Sequence, residues 1–116
     1  MIYYVLFCHW LHDFVVQGYL FPKLEIGKNK SKSWDILWLH ILLYTCGMVA
    51  CVGWFLTPEQ LAAFAFINGG SHFVIDAVTS RCGSRAYARG DHRLFWSIIG
   101  FDQFLHVAIL CATLPS

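Results

Sequence analysis

An all-α fold of transmembrane helices is what this sequence predicts, and three observations predict it. The 116 residues are 58% hydrophobic and only 13% charged, too apolar for a soluble domain of this size. The apolar residues gather into four stretches of about 20, the length that crosses the hydrocarbon core of a bilayer. All eight Lys and Arg lie in or beside just two of the connections between them. Four spans and short connections use up the length, which predicts one polytopic four-helix domain over 1–116 and no separate soluble catalytic domain.

The first stretch, about 1–21, lacks a basic leader and a small-residue cleavage site, and it carries His9, His12, Asp13 and Gln17. It is therefore expected to be a retained span and not a cleaved signal. A polar connection, 22–33, holds Lys23, Lys28, Lys30 and Lys32. The second span is expected at about 34–56. Thr57-Pro58 then forms a minimal turn, with Pro58 suited to the first turn of a third span at about 59–81. Arg81, Arg85, Arg89 and Arg93 surround the connection 82–93, and the last span covers about 94–114. If all four stretches cross, both basic connections share one side. The positive-inside bias then puts them in the cytoplasm, with both termini outside a cell inner membrane.

The basic residues are explained by this topology, so the net charge of +1 gives no reason to expect nucleic-acid binding. The lipid bilayer is the expected partner, together with a second membrane protein or another copy of the chain. Five cysteines without a C-x-x-C pair read as reduced, buried small hydrophobes. Trp34, Trp38, Trp54 and Trp96 read as interface anchors. His92 falls in a connection and is expected to be solvated.

Each span also contains groups that lipid does not tolerate. One ionisable side chain at a bilayer centre costs roughly 2.5–3.5 kcal/mol on insertion scales. His9, Asp13 and Gln17 are four apart, as are Asn68, His72 and Asp76, which puts each set on one helix face. His40 with Tyr44 and Asp102 with His106 repeat the spacing. Counted at 1.5 Å per residue, Asp13, Tyr44, His72 and Asp102 fall at a similar depth, roughly 12–15 Å from the cytoplasmic side. Such stripes are expected to face one another across the interior. His9 to Gln17 can also be laid on Asn68 to Asp76 around a shared Phe-Val, and His40 and Tyr44 on Asp102 and His106. A duplicated helical hairpin with a pseudo-two-fold axis would follow.

Three chemistries fit the cluster. Asp13, His40, His72, Asp76, Asp102 and His106 offer three nitrogen and three oxygen ligands, a set that suits Zn, Fe or Mn between the helices of a bundle. His9, Gln17, Tyr44, Asn68 and Gln103 would then support those ligands by hydrogen bonding. The same groups could instead tie the helices together, or carry protons. His12, about 100° around the helix from Asp13, is expected to face away from the cluster.

His-x-x-x-Asp-Phe-x-x-Gln (His9, Asp13, Phe14, Gln17), Leu-His with Tyr-Thr (His40, Tyr44, Thr45), Asn-x-x-x-His-Phe-x-x-Asp (Asn68, His72, Phe73, Asp76) and Asp-Gln-x-x-His (Asp102, Gln103, His106) together resemble a domain-of-unknown-function family of small integral membrane proteins in bacteria and their phages. That resemblance covers all four helices and implies no activity. A looser similarity is to the membrane-bound metal-dependent hydrolases of bacterial inner membranes, which pair His and Asp on successive helices. It implies hydrolysis of a lipid-linked or phosphoester substrate. The alternative is a non-enzymatic membrane module with the cluster as its polar core.

Overall fold

A computed structural model describes residues 1–115, and they are almost entirely helical. Four long helical segments pack side by side. The N-terminal one runs through residues 2–20 as Ile2–Trp10, a single π turn at Leu11–Val15, and Val16–Leu20. The second is Trp34–Val52, the third Pro58–Ala88 and the fourth His92–Thr113. Side-chain pairs set the directions. His9 with Tyr44 and Gln17 with His40 join the first two helices, Thr45 opposite Gly69 and Trp38 on Phe73 the next two, and Asn68 with Thr113 the last two. As one partner's number rises the other's falls, so each helix runs antiparallel to the one before it.

Local signals explain the boundaries. Ser33 caps the second helix by accepting from the Ile36 N–H, and Asp91 caps the fourth by accepting from Leu94. Thr57 and Gln60 form a reciprocal capping box, with Pro58 at the first helical position. The third helix outruns the expected 59–81 by seven residues at its C-terminal end. Nothing in 82–88 stops a helix, and at Gly83 it packs against Phe95 and Ile98 of the fourth. The chain turns only at Gly90, whose φ is +77°. Arg81 and Arg85 are therefore helical, and the connection shrinks to residues 89–91. The second helix ends earlier than the expected 56, with 53–57 forming a turn.

Three helices, the second, third and fourth, are long and apolar enough to cross a membrane. The N-terminal helix is interrupted by its π turn, and its regular α segments are nine and five residues long. The two halves differ in build. The first has the π turn and a connection containing a 3₁₀ turn, Pro22–Leu24, and a short helix, Ile26–Asn29; the second has an unbroken 31-residue helix and a three-residue turn.

The polarity is that of a membrane bundle. Large apolar side chains such as Phe7, Trp38, Phe66, Val74, Phe101 and Phe104 face outward, while nine polar or ionisable residues are buried. An apolar core of Val5, Cys8, Tyr44, Met48, Val52, Phe64 and Leu110 fills the end nearest the termini. The buried polar groups occupy the middle, and the basic connections close the other end. Trp34, Trp38, Trp54 and Trp96 are exposed, and the Arg81 guanidinium lies 3.9 Å above the Trp34 ring. The cysteines correct one expectation. All five are free, but only Cys8 is buried; Cys46, Cys82 and Cys111 face outward, where an apolar thiol is as well placed in lipid as in the core.

The close approach of the second and third helices rests on Gly69, where a Cβ would sit 2.9 Å from Thr45 Oγ1. Gly69→Ala should therefore lower stability in detergent by about 1–3 kcal/mol through overpacking. Gly70→Ala, with nothing within 4 Å, should leave it unchanged or slightly raised. Thermal unfolding of the two variants by circular dichroism compares them directly, and equal midpoints would remove the packing role of Gly69.

Candidate metal centre

Each helix delivers its polar stripe to one place. His40 and His72 present their Nε2 atoms to each other at 3.0 Å. Asp13 Oδ1 lies 3.2 Å from His40 Nε2 and 3.4 Å from His72 Nε2, and Asp76 Oδ2 lies 2.9 and 3.4 Å from the same atoms. His106 Nε2 is 3.2 Å from Asp76 Oδ1. Two groups of fully buried residues result, Asp13–His40–His72 and His72–Asp76–His106. Edges of 3.0, 3.2 and 3.4 Å in the first suit a cation held about 2 Å from each ligand atom.

The surrounding hydrogen bonds place a proton on the outer nitrogen of two of the rings. Gln17 Nε2 donates to the Asp13 carbonyl at 2.6 Å, which turns its Oε1 to His40 Nδ1 at 2.7 Å. An amide oxygen only accepts, so His40 Nδ1 carries the proton and the Nε2 of the neutral ring is a bare lone pair. His106 follows the same logic, because its Nδ1 donates to the Asp102 carbonyl at 3.0 Å. Its Nε2 has no partner, and neither do Asp13 Oδ1 and Asp76 Oδ1. Lone pairs of two rings are thus aimed at carboxylate oxygens. A metal-bound histidine shows this pattern, with the outer nitrogen anchored and the inner one free to coordinate.

A second layer holds the carboxylates. Gln103 Nε2 donates to Asp13 Oδ2 at 3.1 Å and to Asp102 Oδ2 at 3.0 Å. Its Oε1 accepts from His9 Nε2, whose Nδ1 accepts from the Tyr44 hydroxyl at 2.8 Å. The π turn contributes here. The Val16 N–H reaches back five residues to Leu11, and the Asp13 carbonyl serves the Gln17 side chain.

Of the six ligand candidates, five converge. Asp102 stands aside, because its Oδ1 accepts from Thr79 and its Oδ2 from Gln103, 3.7 Å from His106 Nδ1. His9, Gln17, Tyr44 and Gln103 support the cluster, whereas Asn68 donates to Phe64 O and Thr113 Oγ1 and ties the third helix to the fourth. His12 packs on the second helix, its ring occupying the space a Cβ on Gly47 would need. His92, in the first turn of the fourth helix, is exposed.

Sequence reasoning missed Lys30. Its ammonium donates to Asp76 Oδ2 at 2.8 Å, and its side chain is only 19% exposed. Burial draws this ammonium down, but the Asp76 and Asp13 carboxylates more than reverse the effect and hold it above its ordinary pKa. In sequence Lys30 is one of four similar lysines in a connection, and no spacing separates it from the others. Thr79 was missed likewise, since a threonine within a span is unremarkable.

The family model described as Protein of unknown function (DUF3307) matches residues 1–115. No curated protein and no solved structure matches the chain.

Groups that share one buried network respond as a unit. The Asp13→Ala/His72→Ala double variant should therefore lose little more thermal stability than the worse single variant, a coupling of about 0.5–3 kcal/mol. Simple summation in a double-mutant cycle would show independent contacts.

Proposed function

We propose that this chain, which belongs to the DUF3307 family, is an integral membrane protein built around one divalent transition-metal ion held by Asp13, His40, His72, Asp76 and His106. The observation that carries the reading is that His40 and His106, each anchored through Nδ1, turn their Nε2 atoms to carboxylate oxygens 2.9–3.2 Å away, with His106 Nε2 otherwise unpartnered. Two acceptors repel at that distance unless a proton or a metal cation lies between them. Charge supports the same reading. Three buried carboxylates, Asp13, Asp76 and Asp102, face one ammonium, Lys30, which leaves two negative charges in excess when the imidazoles are neutral. An uncompensated charge in so apolar a setting is costly, and a divalent ion offsets two of the three carboxylate charges. The shared residue limits the count to one, because His72 Nε2 has a single lone pair for both groups. Imidazole with carboxylate suits Zn, Fe or Mn.

The chemistry such an ion supplies is Lewis-acid activation in hydrolysis, and the substrate class we assign is a lipid-linked or other phosphoester. Gln17 and the Asp102 carbonyl orient the rings, and Gln103 bridges the Asp13 and Asp102 carboxylates.

Elemental analysis of detergent-purified protein should find about one metal ion per chain, lost in His72→Ala and Asp76→Ala and kept in His92→Ala. The metal-loaded protein should cleave a chromogenic phosphodiester in mixed micelles. A metal-bound protein without turnover would remove hydrolysis and leave the centre. A folded wild-type protein with no stoichiometric metal would overturn the centre itself and favour a hydrogen-bonded cross-link or a proton path through the same histidines.

We also propose four spans, with both basic connections cytoplasmic and both termini outside an inner membrane. The support is the segregation of all eight Lys and Arg to one end of the bundle. In a background without native cysteines, Cys at Ser31 or Ala88 should resist an impermeant thiol reagent in intact cells and react in inverted vesicles. Labelling of either from outside would reverse the orientation.

A further inference from the structure

Lys30 is held differently from every other basic residue of the chain. Lys28 pairs with Glu25 at the surface, its side chain 68% exposed, and Arg81 covers Trp34. Lys30 reaches inward, and its Nζ lies 2.8 Å from Asp76 Oδ2. That oxygen is the one that also faces His40 and His72. A metal ion bound to it at about 2.0–2.2 Å would stand no more than about 5 Å from the ammonium, and within a low-dielectric interior two cations at that range repel strongly. Asp76 Oδ2 therefore serves one cation well at a time.

The segment that carries Lys30 is small. Residues 22–33 comprise the 3₁₀ turn, Glu25 in the left-handed region at φ +46°, and the four-residue helix Ile26–Asn29. Ile26 is buried, and the Asn29 side chain donates to the Leu24 carbonyl within the segment. Among the described residues, Lys30–Asp76 is the one ion pair that joins this segment to the bundle. Besides that tie, the buried Ile26 side chain anchors a segment that otherwise consists of a strained residue and one short helix.

We propose that Lys30 is a tethered counter-cation that competes with the metal for Asp76, so that metal uptake expels the ammonium and releases the 22–33 segment from the mouth of the bundle. The inference rests on the metal-centre reading above. In the metal-free protein the lysine neutralises part of the carboxylate excess and keeps the mouth closed. With metal bound, the ammonium is free at the side of the basic connections, beside the centre. Binding and opening are then linked, and each must oppose or favour the other by the same factor.

The test uses zinc as the probe and the full chain in detergent. Competition against a chelating dye should show Lys30→Met binding zinc about tenfold more tightly than wild type, within the usual range of such couplings. Lys28→Met removes the same charge from the same segment at an exposed position, and it should bind within about twofold of wild type, which separates local competition from general attraction. In unmodified wild-type protein, zinc should speed tryptic cleavage at Lys28 and Lys32 several-fold, an arm that needs no variant to fold. Equal zinc affinity in wild type and Lys30→Met, or a cleavage rate that zinc leaves unchanged, would overturn the competition while leaving the centre intact. No zinc binding in wild type or in Lys30→Met would overturn both.

Discussion

Lipid supplies no hydrogen-bond partners, and that absence organises the bundle. Nine polar or ionisable side chains are buried between helices whose outer faces are Phe, Trp, Leu and Val. Each must find its partner on a neighbouring helix, so the pairs His9–Tyr44, Gln17–His40, His40–His72 and Asp13–Gln103 fix the register of all four segments at once. Apolar packing alone would tolerate a slide of one helix along another, since side chain and lipid are equally apolar. The polar pairs do not, because a slide leaves a charge or an N–H bare.

That network is satisfied at its periphery and unsatisfied at its centre. Gln103, Gln17, Tyr44 and Thr79 spend their donors on carboxylates, carbonyls and ring nitrogens, whereas Asp13 Oδ1, Asp76 Oδ1 and His106 Nε2 face inward with no partner. A bundle selected only for cohesion would pair these atoms, given how much polar material surrounds them. His106 Nε2 and Asp76 Oδ1 lie 3.2 Å apart, in one of the two groups whose geometry could hold an ion. The same excess of acceptors explains why a lysine is drawn from the connection into the site.

The N-terminal helix shows how local irregularity serves the centre. Next to the π turn at Leu11–Val15 the Gln17 side chain donates to the Asp13 carbonyl and accepts from His40 Nδ1. The irregularity thus sits at the residue whose carboxylate enters the cluster, and π turns often mark functional positions.

Composition and spacing by themselves determined the helical membrane class, the positions of four apolar segments, and the five residues of the buried His/Asp cluster, Asp13, His40, His72, Asp76 and His106. Four-residue spacing is a property of one helix and is legible without the others, as with Asn68, His72 and Asp76. Tertiary structure decided what depends on where helices meet. Asp102 and His106 are four apart on one helix, yet only His106 joins the buried cluster, because Thr79 and Gln103 bind the Asp102 carboxylate. Nothing about Lys23, Lys28, Lys30 and Lys32 in sequence distinguishes the one whose ammonium meets Asp76. The third helix runs on to Ala88 because it has the fourth to lie against. Periodicity tells which side of a helix is polar, but the identity of the atom across the gap depends on the fold of the whole chain.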